Sequence, residues 1–565
     1  MEGTKRTNYM NRWAALQTER SEWFEHYKEL SDHFLPRTGR FFNDEVNRGD
    51  KRWNSIYDSS GTRALRTLSA GMMSGMTSPA RPWFRLAIPD TEMMEYTPVK
   101  VWLNEVTKRM RDTFARSNTY RSLSTMYEEL GLYGTAASVV VSDFNTVIRH
   151  HTLTAGEYAF ATDNRREVQT MYREWDMTVS QIVREFGIDA CSNTVKNLHM
   201  QGGKGLDTYI TIVHCVEPRY ERDLKKRDSK NMAFKSVYFE KGGDNEKILR
   251  ESGFNEFPVL PPRWATTGND VYGYSPAMEA LGDVKQLQHE QLRKAEAIDY
   301  MTKPPLVLPS SMMNQQINRY PGGLMFSDQP ANAGGVRSAF EVNLDLGALR
   351  EDIMDVRQRI NGAFFADLFL MLANDQRSGI TATEVAERHE EKLLMLGPVL
   401  ERLHNEMLDP MIDITFNKML AGGLLPPPPE ELQGMDLKVE FVSTLAQAQR
   451  AVGVTSIDRL IGTVGAIAGL RPEVVDKLDA DQMIDAYADM LGVDPTLIVA
   501  DDKVAMIRDQ RAQQAQMQQM AAMAQPAQQA TQAVQNLAQT GQSGDGGLAS
   551  VLDMFQGYTG PAVVG

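Results

Sequence analysis

Few residues of this chain stand where covalent chemistry could be done, and each set fails a test of spacing. No GxxxxGK[ST] loop is present; Gly202-Gly203-Lys204-Gly205 has the right residue types at the wrong intervals to cradle a phosphate. No HExxH pair offers two zinc ligands on one helix face, and His389-Glu390-Glu391 reads as a charged helix surface. His150-His151 and His214-Cys215 are adjacent pairs in segments of strand character. Neighbours in a strand point to opposite faces, so neither pair closes on one metal ion. Glu384, Glu387, Glu390 and Glu391 recur along a helix. A solvated or subunit-facing surface accounts for them better than paired acid–base work. No GxSxG elbow presents a serine nucleophile. The expectation is a protein that is not an enzyme and uses no cofactor or metal.

Composition narrows the class. A length of 565 residues exceeds one simple core and predicts several domains. Apolar content of 42% and charged content of 24% are those of a soluble globular protein. No run of about 18 apolar residues predicts a membrane span, and MEGTKRTNYMNRW lacks the apolar core of a secretory signal. Cys191 and Cys215 are the only cysteines. They read as small buried hydrophobes in a reducing compartment, not as a disulfide framework. The 32 methionines suit irregular gaps in cores and contacts.

The elements follow from periodicity. Residues 5–35 predict one aromatic amphipathic helix, with Trp13, Leu16, Trp23, Tyr27, Leu30 and Phe34 near one face and Pro36 ending it. In GTRALRTLSAGMMSGMTSPARPWFRL, Leu65, Leu68, Met72 and Met76 step at helical spacing. Gly71 and Gly75 thin one face for close approach by another backbone, and Ser78-Pro79 stops the helix. Two helices follow over 99–132, with Asn118 as the turn between them. From 136 to 265 the period becomes two. SVVVSDF, TLTAGEYAFAT, VQTMYREW, TYITIVHCVEPR and FKSVYFEK predict strands, interrupted by the helix VSQIVREFG.

Ser275-Pro276 predicts a sharp helix start, serine as N-cap and proline at N1. That helix runs to Thr302 before Lys303-Pro304-Pro305. Its apolar stripe is thin, and QLQHEQLRKAEA interrupts it. So polar a helix is not expected to bury itself in a monomer core; it calls for like neighbours or a wet channel. Short extended pieces fill 303–345. A second long helix, 346–372, carries Leu346, Leu349, Ile353, Val356, Ile360, Phe364, Leu368 and Leu372. A polar loop and a third helix follow, in which Gly397-Pro398 predicts a kink. DLKVEFVST predicts a strand returning to the body after Pro426–Pro429. Residues 446–500 are helical in character, 512–538 could be helix broken at Pro526, and 541–565 read as flexible.

Two blocks carry a resemblance. Trp53, Tyr57, Asp58, Ser59, Ser60, Gly61, Thr62, Arg63 and Ala64, then Gly71 through Phe84, form the first. Arg263-Trp264 with Tyr272-Gly273-Tyr274-Ser275-Pro276 forms the second. Over about residues 10–500 the chain resembles the portal, or head-to-tail connecting, proteins of short-tailed bacteriophages. The order helix, extended module, helix, polar loop, kinked helix is similar to theirs. The resemblance implies an α+β, multidomain, ring-forming portal-type fold. It would have a β-rich wing or body at 1–274, stem helices at 275–302 and 346–372, and a clip at 303–345. A tunnel loop would occupy 373–380, a kinked helix and return strand 381–445, and a helical crown 446–511, before an Ala/Gln-rich end at 512–565.

The resemblance also implies a function. A ring, of twelve subunits by family, would sit at one capsid vertex as the channel for DNA packaging and ejection. Its partners would be other copies of itself, the major capsid and scaffolding proteins, terminase, tail adaptors, and double-stranded DNA passing without sequence specificity. It would be a virion component assembled in the host cytoplasm, with no membrane partner. Another ring- or filament-forming scaffold of the virion, or a packaging enzyme, is the alternative. The net charge of −14 repels DNA on average, which suits sliding better than gripping. After Arg511 there is no Lys or Arg, so the C-terminal end is not a basic DNA-binding tail. The candidate DNA-facing positions are Lys285, Arg293 and Lys294 on the first stem helix and Asn374, Asp375, Gln376, Arg377 and Ser378 in the loop. For the cations, salt bridges to Glu290, Glu296 or a neighbouring subunit compete with a sparse basic ring on DNA. For the loop, contact with a moving phosphate backbone competes with a solvated turn.

Overall fold

The core forms where the glycine- and methionine-rich helix meets the aromatic ones. A computed structural model of the chain describes residues 5–41, 56–90, 93–94, 96–226, 228–242, 247–307, 337–338, 346–374, 395–432, 437–443 and 445, and beyond them 461–467, 471, 473, 479, 481–484, 499 and 503–517. It is a mixed helix-and-sheet fold. Contacts divide it into two units, Met1–Gly462 and Thr463–Gly565.

The predicted N-terminal helix is divided into α1 (Lys5–Glu19) and α2 (Ser21–Phe34). The division is local: Arg20 keeps helical dihedrals, but it is the residue that serves two targets. Its buried guanidinium donates to the carbonyl oxygens of Gly156 and Tyr158 and lies against the rings of Trp13 and Phe24. The aromatic stripe is shared accordingly. Trp13 and Leu16 join a cluster on the larger sheet, while Tyr27, Leu30 and Phe34 enter the main core.

That sheet is antiparallel, in the order β4 (Tyr158–Thr162), β5 (Val168–Thr178), β6 (Tyr209–Pro218), β7 (Phe234–Glu240) and β8 (Arg250–Phe254). Side chains alternate between its faces. Ala159, Tyr172, Cys215 and Val237 take Trp13, which stacks on Tyr172 at 6.0 Å and donates to Glu174 at 3.1 Å. Phe160, Met171 and Val216 pack on a second sheet, ordered β3 (Val147–Leu153), β2 (Ala137–Asp143), β9 (Val259–Leu260).

The strand expected over TLTAGEYAFAT is corrected. It breaks at Gly156, whose φ is +99° and whose Cβ would lie 1.9 Å from the Arg40 carbonyl oxygen. Only glycine fits there. The residues before it pair instead as β3, a strand over VIRHHTL that the alternation did not reveal.

The main core is centred on α3 (Ser60–Met76), whose Leu65, Leu68, Met72 and Met76 are all buried. Around it lie α4 (Thr97–Arg116) and α5 (Thr119–Tyr133), meeting at Asn118 as the sequence predicts. After α3, β1 (Phe84–Ala87) pairs with the return strand β10 (Lys438–Phe441), Phe84 opposite Phe441. Of 303–345 the described residues are 303–307 and 337–338, and Leu306–Val307 pairs with Arg337–Ser338.

The second long helix is not continuous. It divides into α6 (Leu346–Ala363) and α7 (Ala366–Asn374) at Phe364-Phe365, where Phe365 has φ +51°. Three phenylalanines meet three different partners. Phe364 packs edge-on to Phe34 at 5.7 Å, Phe365 faces Trp264 at 6.5 Å, and Phe369 reaches α3. The left-handed φ at Phe365 is what interrupts the helix, since a continuous helix needs right-handed dihedrals throughout. Gly397 and Pro398 lie within helical residues 395–403, and a π-helical turn follows at His404–Leu408, just before Pro410.

Phe369 explains Gly71. A Cβ there would lie 2.2 Å from Cγ of that ring, whereas a Cβ on Gly75 would meet only Leu445 at 3.7 Å. The thinned face therefore admits a side chain, and only one of the two glycines is required. Gly71→Ala is expected to destabilise the fold by about 1–3 kcal/mol through overpacking. Gly75→Ala is expected to be neutral or stabilising by up to about 1 kcal/mol, because alanine favours helix. Chemical-denaturation midpoints of the two variants check this; equal losses would refute it.

Glu129 on α5 is 2% exposed. It accepts from Thr154 Oγ1 at 2.5 Å and Ala155 N at 3.3 Å. Burial outweighs these bonds and pushes its pKa up to about 8. Below the ordinary glutamate value both folded and unfolded chains hold the proton. Between about 4.5 and 8 the unfolded chain releases it and the folded one keeps it, so this group makes stability fall as pH rises. Glu129→Gln should flatten that slope. The stability of the variant relative to the native chain, measured by denaturant titration at pH 5 and pH 8.5, should rise by several kcal/mol, at about 1.4 per unit of pKa. A constant difference across the two pH values would contradict the assignment.

Candidate functional site

Helix α8 (Pro276–Thr302) starts as the sequence predicts. Ser275 Oγ accepts from Met278 N at 3.1 Å and donates to Leu132 O at 2.8 Å, with Pro276 at N1. The preceding motif residues hold this start in place. Gly273 N donates to Thr135 Oγ1 at 2.8 Å, and Tyr272 Oη accepts from Phe160 N at 3.0 Å. Gly134, at φ +71°, lets the two chains cross: a Cβ on it would lie 2.4 Å from Gly273 O. Arg263 binds Glu406 of the π-helical turn, Nη2 to Oε1 at 2.6 Å and backbone N to Oε2 at 2.9 Å. The guanidinium also caps the Arg166 carbonyl at 3.1 Å.

The expectation that this helix is too polar for a monomer core holds for one half only. Ala277, Ala280, Leu281, Val284, Leu287 and Gln288 are buried, and the apolar ones among them belong to the main core. None of residues 289–302 is buried, and Ile298, Tyr300 and Met301 are exposed. The amphipathic stripe is thus used at the root and unused at the tip. On α6, Ile353, Val356 and Ile360 are buried while 347–352 are not.

At this boundary stands Asp58. Its Oδ1 accepts from Ser60 N at 2.8 Å and Ser60 Oγ at 2.6 Å, a local turn just ahead of α3. Its Oδ2 accepts from Gln291 Nε2 of α8 at 3.0 Å and Arg357 Nη2 of α6 at 2.6 Å. Gln288 binds the backbone beside it: Oε1 accepts from Tyr57 N and Asp58 N at 2.7 and 2.8 Å, and Nε2 donates to Asp58 O at 2.9 Å. Burial opposes ionisation of Asp58, but the bonds from Ser60 and Arg357 outweigh it and hold the carboxyl below its ordinary range. The sequence showed Asp58 as a motif residue. Its partners, 230 to 299 positions away in the chain, gave no signal.

The predicted cations are placed as follows. Lys285 pairs with Glu29 of α2, a partner the sequence did not suggest. Arg293 pairs with Glu296 at 2.7 Å, one of the two partners it did suggest. Both pairs are exposed and contribute little to stability. Lys294 is half-buried on the same helix. Asn374 is the last residue of α7. Asp375, Gln376, Arg377 and Ser378 lie outside the described residues, as do His389 and the acidic run Glu384 to Glu391.

Groups that could bind metal do not converge. Among the described residues no three of His, Cys, Asp and Glu form a metal-binding group, and no described helix is long and apolar enough to cross a membrane. His150 is buried and His151 exposed on opposite faces of β3. His214 accepts from Arg173 Nε at 3.1 Å, meets Ser236 Oγ at 2.9 Å and stacks on Tyr238. Burial, aided by the Arg173 charge, holds it neutral. Cys191 and Cys215 are buried free thiols whose pKa burial raises.

Comparison with known proteins agrees on one family. Residues 6–499 match the family described as bacteriophage head to tail connecting protein. A probable portal protein of Bordetella phage BPP-1 is 61% identical over 511 residues, covering 90% of this chain and 92% of the relative. The portal protein of Salmonella phage epsilon15 is 48% identical over 513 residues, covering 91% and 92%. A chain from the virion of a native gene transfer agent particle aligns at TM-score 0.33 and 12% identity, covering 77% of this chain and 90% of the other.

Proposed function

The chain belongs to the bacteriophage head-to-tail connecting, or portal, protein family, and from that premise we propose how its parts serve a channel. As a portal protein it is a structural connector of the virion and not an enzyme. In our reading it forms a ring of twelve at one capsid vertex, through which double-stranded DNA enters and leaves without being read. Residues 1–274 are the wing and body. The stem is 275–302 with 346–372, and 303–345 is the clip between its helices. Residues 373–380 are the tunnel loop, 381–445 the kinked helix and return strand, and 446–511 the crown. The ring meets capsid and scaffolding protein at its rim, terminase during packaging and tail adaptors afterwards. It is assembled in the host cytoplasm.

One observation carries this beyond the family name. The tip of α8, 289–302, has no buried residue and exposes Ile298, Tyr300 and Met301 together. That segment is at best partly covered within its own subunit and gains little from packing there. A ring supplies a neighbour for every such tip at once. Negative-stain electron microscopy of the purified chain should show closed rings with a central hole. Stable monomer across salt and concentration, or open filaments, would count against the ring.

The tunnel loop is tested separately. Asn374, Asp375, Gln376, Arg377 and Ser378 are all polar, so replacing them with Gly and Ser should leave ring stability within about 0.5 kcal/mol. DNA packaging or retention should suffer instead. Arg377→Ala alone should have an effect that weakens as salt rises, because exposed charge contacts are screened over about 8 Å at physiological ionic strength. Loss of rings with intact packaging by those that form would show the loop to be misplaced.

A further inference from the structure

We infer that Asp58 is a latch that fixes the direction in which the α8–α6 helix pair leaves the body. Core packing along α8 stops at a defined point. Gln288 is the last buried residue of the helix, and from residue 289 to Thr302 it has none. At 1.5 Å per residue the tip beyond Gln288, at best partly covered, extends about 20 Å. A tilt of about 10° at its root therefore moves its end by about 4 Å. Apolar packing sets where the root of α8 lies, but that buried packing ends at Gln288 and does not reach along the tip. Hydrogen bonds are directional.

Of the directional contacts from α8 to the body at this boundary, the Lys285–Glu29 pair is exposed and contributes little; the others converge on one residue. Asp58 Oδ2 holds Gln291 and Arg357, one from each helix of the pair. Gln288 holds the backbone at Tyr57 and Asp58. Asp58 is rigidly based, because Oδ1 is fixed to Ser60 at the start of α3. Arg359 adds a cross-tie between the two helices, to Asp283 at 3.3 Å, but this bond runs within the pair and does not reach the body. The carboxylate's two oxygens thus do different work. Oδ1 ties Asp58 to Ser60, the first residue of α3, and Oδ2 serves only the helix pair. The charge-assisted bond to Arg357 is of the strong class. The direction is also passed on. At its other end α3 seats Phe369 of α7 against Gly71, so one rigid helix references both the outgoing pair and the segment ending at Asn374.

Asp58→Asn separates the two roles. The amide keeps an oxygen for Ser60 and turns a donor toward Gln291 and Arg357, which are donors themselves. The latch concerns the subunit, and only its consequence for a channel rests on the portal reading. The test uses the full chain with Cys191 and Cys215 changed to alanine, in whatever assembly it forms, labelled subunits diluted with unlabelled ones. Spin labels at Ile298→Cys and Arg121→Cys report tip against body; labels at Arg121→Cys and Met200→Cys report the body alone. Asp58→Asn should broaden or shift the tip distance by about 3 Å or more and leave the body distance unchanged. Arg357→Gln, which spares α3 altogether, should do the same and keeps the test open if the first variant does not fold. An unchanged tip distance in either folded variant overturns the latch. So does a body distance that broadens equally, since Asp58 would then be a general stabiliser. If the wild-type chain forms no rings and the variants still show the tip effect, the ring reading sinks and the latch stands; rings with a tip unmoved in the variants would do the reverse.

Discussion

Close approach to α3 is the constraint from which the rest of the first unit follows. Three neighbours reach it where a side chain is missing. Val284 of α8 and Phe34 of α2 would each lie 3.1 Å from a Cβ on Gly61, and the ring of Phe369 would lie 2.2 Å from one on Gly71. On its other side Leu65 and Leu68 press on Gly131 of α5, where a Cβ would stand 2.8 Å from Leu65. At Gly71 a methyl group would force the Phe369 ring and with it α7 to move, while at Gly61 and Gly131 a neighbouring side chain would have to give. The residues that look least informative, glycines within a helix, are therefore where other helices come closest. Glycine inside a helix costs about 1 kcal/mol against alanine, and the apolar burial it permits offsets that many times over.

Once the helices are so close, the polar groups at their ends have few places to go. Asp58, Gln288 and Ser275 answer to this, each buried and each with its hydrogen-bonding groups engaged. Arg20, Arg263 and Arg173 show the same logic for cations. Arg263 finds a carboxylate in Glu406. Arg20 is held by backbone carbonyls and aromatic faces, and Arg173 by His214 and the Trp175 ring. Guanidinium groups tolerate such mixed surroundings because they are planar, weakly hydrated and rich in donors.

Local signals in the sequence were legible and distant ones were not. Ser275-Pro276 and Asn118 mark their boundaries because capping and turn formation depend on adjacent residues. The stripe of α3 is legible for the same reason. Arg20 dividing the first helix, Gly156 dividing a strand, and Phe365 dividing the second long helix are not. At each break the residue meets a partner far along the chain: Tyr158, Arg40 and Trp264. The polarity of α8 was read correctly as a mismatch with burial, but periodicity averages over the whole helix and hid the division into buried root and bare tip. Of the candidate site, the cations were found and half of their partners were not, since Glu29 lies 256 residues from Lys285.

Electrostatics on the proposed channel follow from that pairing. In the proposed ring, twelve copies at −14 each would carry −168, which would oppose assembly and repel DNA. Basic residues on the stem would be expected to offset this locally, yet those described are largely engaged within their own subunit. Lys285 is held by Glu29, Arg293 by Glu296, Arg357 by Asp58, and Arg359 by Asp283 and Asp355. A cation with a carboxylate beside it presents a dipole to a passing phosphate, not a net charge, and the field of a dipole falls off faster than that of a charge. Contacts with DNA would then be short-ranged and easily exchanged, and releasing few counterions they would bind weakly. A surface made of paired charges can be hydrated and smooth to a polyanion without being strongly repulsive. A net positive lining would hold the polymer, and a bare negative one would place the whole cost of entry on whatever drives it. Pairing within the subunit gives the intermediate case.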